Sequence, residues 1–174
     1  IDIGSVIDLG EGYYAVNLTP SELLTFTILI EASLANYDTQ YATFKLTVLP
    51  LPTTASSFGI DGPVEADLLV GTNITMRYAR VDGTGITDAS ISIYYSGPAD
   101  GLEWIELPNW QVGNYTLEFT GIKSGIYNID VVFSRYAYDD AQTSFFFIVG
   151  ELSSNLTILN GSSYSIEYGE AFEL

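Results

Sequence analysis

Apolar and polar residues alternate along most of this chain with a period of two, and no stretch of ten residues carries a helical rhythm. Alternation sends successive side chains to opposite faces of an extended backbone, so the pattern predicts β-strands with one buried face. Between residues 51 and 150 it predicts strands over 66–70, 73–80, 89–95, 102–107, 114–120, 126–133 and 144–149. The breaks carry turn-forming residues: Asp61-Gly62, Asp82-Gly83, Ser96-Gly97-Pro98, Pro108-Asn109 and Ser124-Gly125. Seven short strands in about 100 residues is the pattern of an antiparallel β-sandwich.

The pattern repeats. Residues 12–48 align without a gap on residues 113–149, at a constant offset of 101, with nine identities in 37 positions. Gly12 falls on Gly113, Tyr14 on Tyr115, Ile28 on Ile129, Tyr37-Asp38 on Tyr138-Asp139, Phe44 on Phe145 and Val48 on Val149. Upstream, Ile7-Asp8-Leu9 matches Ile105-Glu106-Leu107 if three residues are inserted in the second copy. A weaker match follows: Leu51, Asp61-Gly62 and Val70-Gly71 resemble Leu152, Asn160-Gly161 and Tyr168-Gly169. With Pro50-Leu51-Pro52-Thr53-Thr54 as the boundary, residues 1–50 read as the C-terminal half of one repeat. Residues 51–150 are then a complete repeat, and 151–174 the N-terminal strands of a further one. The chain opens on Ile1 in a strand-like run, which predicts a piece of a longer polypeptide.

Three runs carry a family resemblance: Gly85-Ile86-Thr87-Asp88-Ala89-Ser90-Ile91-Ser92-Ile93, Gly113-Asn114-Tyr115-Thr116-Leu117 and Gly125-Ile126-Tyr127-Asn128-Ile129. Together they resemble the tandem immunoglobulin-like repeats of large secreted archaeal and bacterial surface proteins, whether surface-layer components, stalks or adhesins. The resemblance implies an all-β fold of immunoglobulin-like antiparallel β-sandwich repeats and an extracellular, cell-surface location. It also implies that Tyr127 is a tyrosine corner, with Ile129 where a disulfide cysteine stands in immunoglobulins.

Composition narrows the chemistry. The 174 residues contain no His and no Cys, which excludes thiol chemistry, disulfides, thiolate metal sites and imidazole-based catalysis. With 22 Asp and Glu against 5 Lys and Arg, the formal charge is −17, so the chain lacks the basic face that nucleic acid or an anionic membrane requires. Its longest nearly apolar stretch, Leu23 to Ile30, is far too short to span a bilayer.

Five of the eight Asn residues begin N-x-[S/T] sequons: Asn17, Asn73, Asn114, Asn155 and Asn160. Four occupy the outward phase of alternating strands and Asn160 lies in a turn, a placement that predicts an N-glycosylated surface. No cofactor is predicted, with calcium as the one ion the residue types suit, through the loop acids Asp82, Asp88, Asp139 and Asp140. Glu103 and Glu106 form a carboxylate pair, but Glu106 corresponds to Asp8 and both fit the outward phase of a strand with Ile105 and Leu107 inward, so a duplicated sandwich argues against a glycosidase couple. Trp104 and Trp110 are the candidate sugar-stacking residues, Trp104 reading as outward from a core of Ile105 and Leu107.

Comparison of the two copies predicts an interface. Val132, Phe146 and Ile148 stand on outward positions where the first copy has Glu31, Lys45 and Thr47. The half-repeat at residues 1–50 needs a partner sheet over Ile28, Ile30, Phe44 and Leu46, and the C-terminal residues supply strands of the missing kind as far as the equivalent of Met76. Neighbouring repeats or copies of the chain, packed head to tail or laterally, are therefore the expected partners, with glycans as further ligands. The sequence thus predicts a non-enzymatic structural segment of an extracellular surface protein. A calcium-dependent or carbohydrate-binding adhesin module is the alternative, as is an accessory spacer of a secreted hydrolase.

Overall fold

The structure is a computed structural model and describes residues 1–108 and 111–151. Trp110, Asn155, Asn160 and the C-terminal repeat segment lie outside the described residues. Strands dominate what is described. Residues 1–50 form β1 (Asp2–Gly10), β2 (Tyr13–Thr19), β3 (Thr25–Ala32) and β4 (Gln40–Thr47). After these come β5 (Thr53–Ser57), β6 (Val64–Asp67), β7 (Gly71–Arg80), β8 (Ser90–Ser96), β9 (Leu102–Leu107), β10 (Asn114–Gly121), β11 (Gly125–Ser134) and β12 (Ala141–Gly150).

Strands β5 to β12 build a sandwich of two four-stranded sheets, in the orders β5-β7-β10-β9 and β6-β12-β11-β8. Alternation explains the core directly. On β10 Tyr115, Leu117 and Phe119 are buried, on β11 Tyr127, Ile129, Val131 and Phe133, and on β12 Phe145, Phe147 and Val149. The Phe119 ring meets Phe145 edge-on at 5.5 Å between centroids and lies 6.1 Å from Phe147, locking one sheet to the other.

One sequence expectation needs correction: the strand expected over 66–70 is shorter and earlier, as β6, which pairs in parallel with β12 while the other strand pairs are antiparallel. Thr53–Ser57 form strand β5, paired with β7, and Leu51 bridges Tyr138.

The tyrosine corner is present. Tyr127 is fully buried and its hydroxyl donates toward the carbonyls of Lys123, at 2.7 Å, and Gly101, at 2.8 Å. Gly113, identical in the two copies as Gly12, has a left-handed φ of 77°. A Cβ there would also run into Gly85 and approach Ile86 N and Tyr78 O at 2.8 Å, whereas at Gly12 (φ 82°) it would meet nothing. Gly113→Ala is therefore expected to cost about 1–3 kcal/mol of backbone strain plus the enforced separation of two loops. Gly12→Ala pays only the strain. Thermal melts of the two variants check the ordering.

The first four strands reproduce the last four. β3 pairs with β4 from Thr25↔Thr47 to Ala32↔Gln40, and β11 pairs with β12 from Gly125↔Val149 to Phe133↔Ala141. Adding 101 to every residue of the first ladder gives all of the second except its Gly125↔Val149 pair. In the first hairpin Ile7 lies opposite Ala15, as Leu107 lies opposite Thr116. Ile7 thus matches Leu107 and not Ile105, and the copies differ there by one residue rather than three. β1 and β2 make a two-stranded sheet, as do β3 and β4, with no counterparts of β5 to β8 beside them among the described residues.

Candidate functional site

The sequons share a face. Asn73 lies opposite Glu118 and Asn114 opposite Arg77 across the β7–β10 pair, and directly opposed residues point to the same side of a sheet. That side is the outer one, where Thr75 and Thr116 join hydroxyls at 3.0 Å. Adding 101 to Asn17 gives the position of Glu118, the residue opposite Asn73. Their accessibility differs. Asn73 is exposed, while half-buried Asn114 accepts from Arg77 Nη1 at 3.3 Å and donates to Gln111 Oε1 at 2.6 Å.

The four loop acids do not converge. Asp82 accepts the Thr84 N–H at 3.0 Å and pairs with Arg80 at 3.0 Å, which together hold its carboxyl below the ordinary value. Asp88 accepts from Thr87 Oγ1 at 3.0 Å and faces Arg135 at 3.8 Å. Asp139 works through its main chain, its carbonyl accepting from Thr53 Oγ1 at 2.7 Å and Tyr78 OH at 2.9 Å. Asp140 lines a shallow hollow with Asp88 and Arg135. Among the described residues no group of three acidic side chains is placed to hold a metal ion.

The phase of β9 is opposite to the sequence reading. Trp104 lies opposite Phe119 and Leu102 opposite Gly121, so Leu102, Trp104 and Glu106 point toward the core side. Ile105, expected inside, is 54% exposed, and Trp104 is 38% exposed at the rim of this edge strand. Glu106 consequently turns toward an open hollow of about 500 Å³ lined also by Asp88, Gln111 and Tyr115. The Tyr115 hydroxyl there is committed to structure, donating to Ile86 O at 2.9 Å and accepting from Ala89 N at 3.0 Å.

On the outer face of the other sheet, Val132, Phe146 and Ile148 all point outward, but they do not form one patch. Phe146 and Ile148 are neighbours on β12, and the residue that joins them is Ile126, directly opposite Ile148. Val132 is separated from them by the Asp130–Ser144 pair. Ile126 was readable from the comparison of copies, because its counterpart is Thr25. In the first copy Thr25 and Thr47 close this spot with a hydroxyl–hydroxyl bond of 3.0 Å.

The most distinctive surface is on β1 to β4. Positions that are core in the complete unit stand open there: Tyr14 is 65% exposed against 6% for Tyr115, and Phe44 42% against 5% for Phe145. Val6 and Tyr14 of the first hairpin and Ile30, Leu34, Tyr37 and Gln40 of the second line an open cleft of about 870 Å³. Alternation located these side chains, and among the described residues no further strand adjoins them.

No protein-family model matches the chain. No curated protein matches it either. Among solved structures it is similar to the Lin-41 filamin domain, at 17% identity and a TM-score of 0.40, over 53% of this chain and 90% of that one. Domains 4 and 5 of the S-layer protein SbsC give 11% and 0.43, over 71% and 57% of the two chains. InvD of Yersinia pseudotuberculosis gives 20% and 0.42, over 92% of this chain and 47% of that one. This chain thus spans only about half the length of the latter two. With identities and scores this low, the likenesses assign neither a family nor a role.

Proposed function

We propose that this chain is a structural segment of an extracellular surface protein, built from tandem immunoglobulin-like units that act as spacer and coat. The observation that carries this reading is the reuse of one hairpin register at an offset of 101 residues, in a sandwich where the hydroxyls of the buried Tyr78, Tyr115 and Tyr127 are bonded to main-chain carbonyls. A repeated sandwich with short connections sets distance and surface. The outer face bearing Asn73 and Asn114 is its glycan-bearing side, and the acidic exterior keeps it hydrated and self-repelling.

The test is labelling of intact cells that make the protein with a membrane-impermeant amine reagent. Modification of Lys45 and Lys123 on intact cells is the expected result, and modification only after lysis contradicts the reading. Mass spectrometry of native material is expected to find glycan at Asn17 and Asn73 above the level at Asn114, whose amide is already engaged on both sides. Bare asparagine at all five sequons would remove the glycoprotein part of the proposal.

A further inference from the structure

We propose that β9 is a docking edge for a second copy of this chain, two β9 strands pairing antiparallel about a twofold axis at Ile105. The sheet that holds β9 then continues from one copy into the other.

The edge strands of the sandwich are β5 and β9 on one sheet and β6 and β8 on the other. Such edges pair with further strands unless brevity, Lys, Pro or a bulge blunts them. β6 is only four residues long, β5 holds no large apolar side chain, and β8 turns Ser92, Tyr94 and Ser96 outward. β9 differs from all three. Leu102–Leu107 contains neither Lys nor Pro, and Pro108 stands just past its end. Its ladder with β10 runs unbroken from Thr116↔Leu107 to Gly121↔Leu102, with Ile105 and the rim residue Trp104 both exposed. Among the described residues nothing pairs with its far edge. The first repeat supplies the contrast. On β1 Ile3 lies opposite Leu18 and Val6 opposite Val16, so Gly4 and Ser5 together face Asn17. That is a bulge, which bends an edge strand and interrupts pairing. At the position equivalent to Asn17, Glu118 faces Ile105 alone. The complete unit thus carries a regular apolar edge where the first repeat carries a blunted one.

Face and charge decide the occupant and its register. Directly opposed residues of paired strands lie on the same side of a sheet. On β9 Leu102, Trp104 and Glu106 point to the core side, and Glu103, Ile105 and Leu107 point outward. Two β9 strands related by a twofold axis therefore pair about a residue, never between two. Centring on Glu103 or Glu106 sets like carboxylates directly opposite each other, which is destabilising. Centring on Trp104 leaves Leu107 without an opposite number in the other β9. Centring on Ile105 sets Ile105 against Ile105, Glu103 against Leu107 and Trp104 against Glu106, with no carboxylate facing another. The strand is its own complement in this register, which is why a second copy is the occupant. Each copy uses the same surface, so the contact closes as a dimer. One strand per copy is a small interface, and two chains of formal charge −17 repel, so dimer is expected to grow with concentration and with salt.

The experiment uses the 174-residue chain, which has no native cysteine. In sedimentation velocity the wild type is expected to pass from monomer to dimer as concentration rises, at lower concentration when salt is added. Ile105→Lys, at an exposed position, is expected to keep the wild-type thermal melt and to stay monomeric over the same range. Under mild oxidation Ile105→Cys is expected to give several-fold more disulfide-linked dimer than Glu103→Cys, whose opposite number is Leu107. A wild type that stays monomeric at high concentration and high salt overturns the proposal. So does a folded Ile105→Lys variant that dimerises like wild type, and so do equal yields from the two cysteine variants. Failure on these counts leaves the surface role intact, because intact-cell labelling reads that role separately.

Discussion

Replacing Phe119 by Ala is expected to destabilise the sandwich by about 3–5 kcal/mol, among the largest effects of any single truncation in the chain. Phe119 is fully buried between the sheets and touches both Phe145 and Phe147, so its loss empties a volume that neither sheet can close. Part of the cost is the transfer term for the ring, and part is the cavity and the two aromatic contacts. Domains of this size hold only about 5–15 kcal/mol in total, so the variant sits near the limit of folding. The counterpart of Phe119 is Leu18, which is only half-buried, and Leu18→Ala in monomeric chain should cost a small fraction as much. Chemical denaturation of both variants, in chain ending at Glu151, checks the contrast. Equal losses would mean that β1 to β4 already own a closed core.

A second large effect is expected in alkali. Burial pushes the hydroxyls of Tyr78, Tyr115 and Tyr127 above the ordinary tyrosine value of 10.0, outweighing the hydrogen bonds that lower the first two. Each hydroxyl also donates to a main-chain carbonyl, on Asp139, Ile86, or Gly101 and Lys123. A phenolate donates nothing. Because the folded values lie above the unfolded one, the folded state binds more protons at pH above 10, and stability falls as pH rises there. Below pH 10 this contribution is fully present. Titration followed by phenolate absorbance and near-ultraviolet circular dichroism is expected to show a late ionisation step that coincides with loss of tertiary signal. Completion of all tyrosine ionisation while that signal persists would contradict the assignment.

Much of this was legible in the residues, for identifiable reasons. β10, β11 and β12 sit in a sheet interior where alternation is unambiguous, and the repeat reads them twice. β5 was missed because Thr53-Thr54-Ala55-Ser56-Ser57 holds no large apolar side chain, and its place comes from backbone pairing with β7. β9 was read in the wrong phase because Leu102-Glu103-Trp104-Ile105-Glu106-Leu107 offers apolar residues on both faces. Only its partners on β10, Phe119 and Gly121, decide which face is inside. The outward patch was half found: Phe146 and Ile148 are adjacent, but Val132 is two pairs along the ladder and Ile126 completes the group. The loop acids illustrate the opposite limit, since composition permits calcium while geometry sends Asp82 to Arg80 and Asp88 toward Arg135.

The central claim is that residues 1–50 are the second half of the same folding unit that residues 51–150 complete. A chimera in which Asp2–Pro50 directly follows residues 51–101 replaces β9 to β12 with β1 to β4 and keeps every ladder in register. Its thermal unfolding, followed by near-ultraviolet circular dichroism, is the most direct measurement. One cooperative transition with a native aromatic signal is the predicted result, and a chain without tertiary signal or cooperativity would contradict the account.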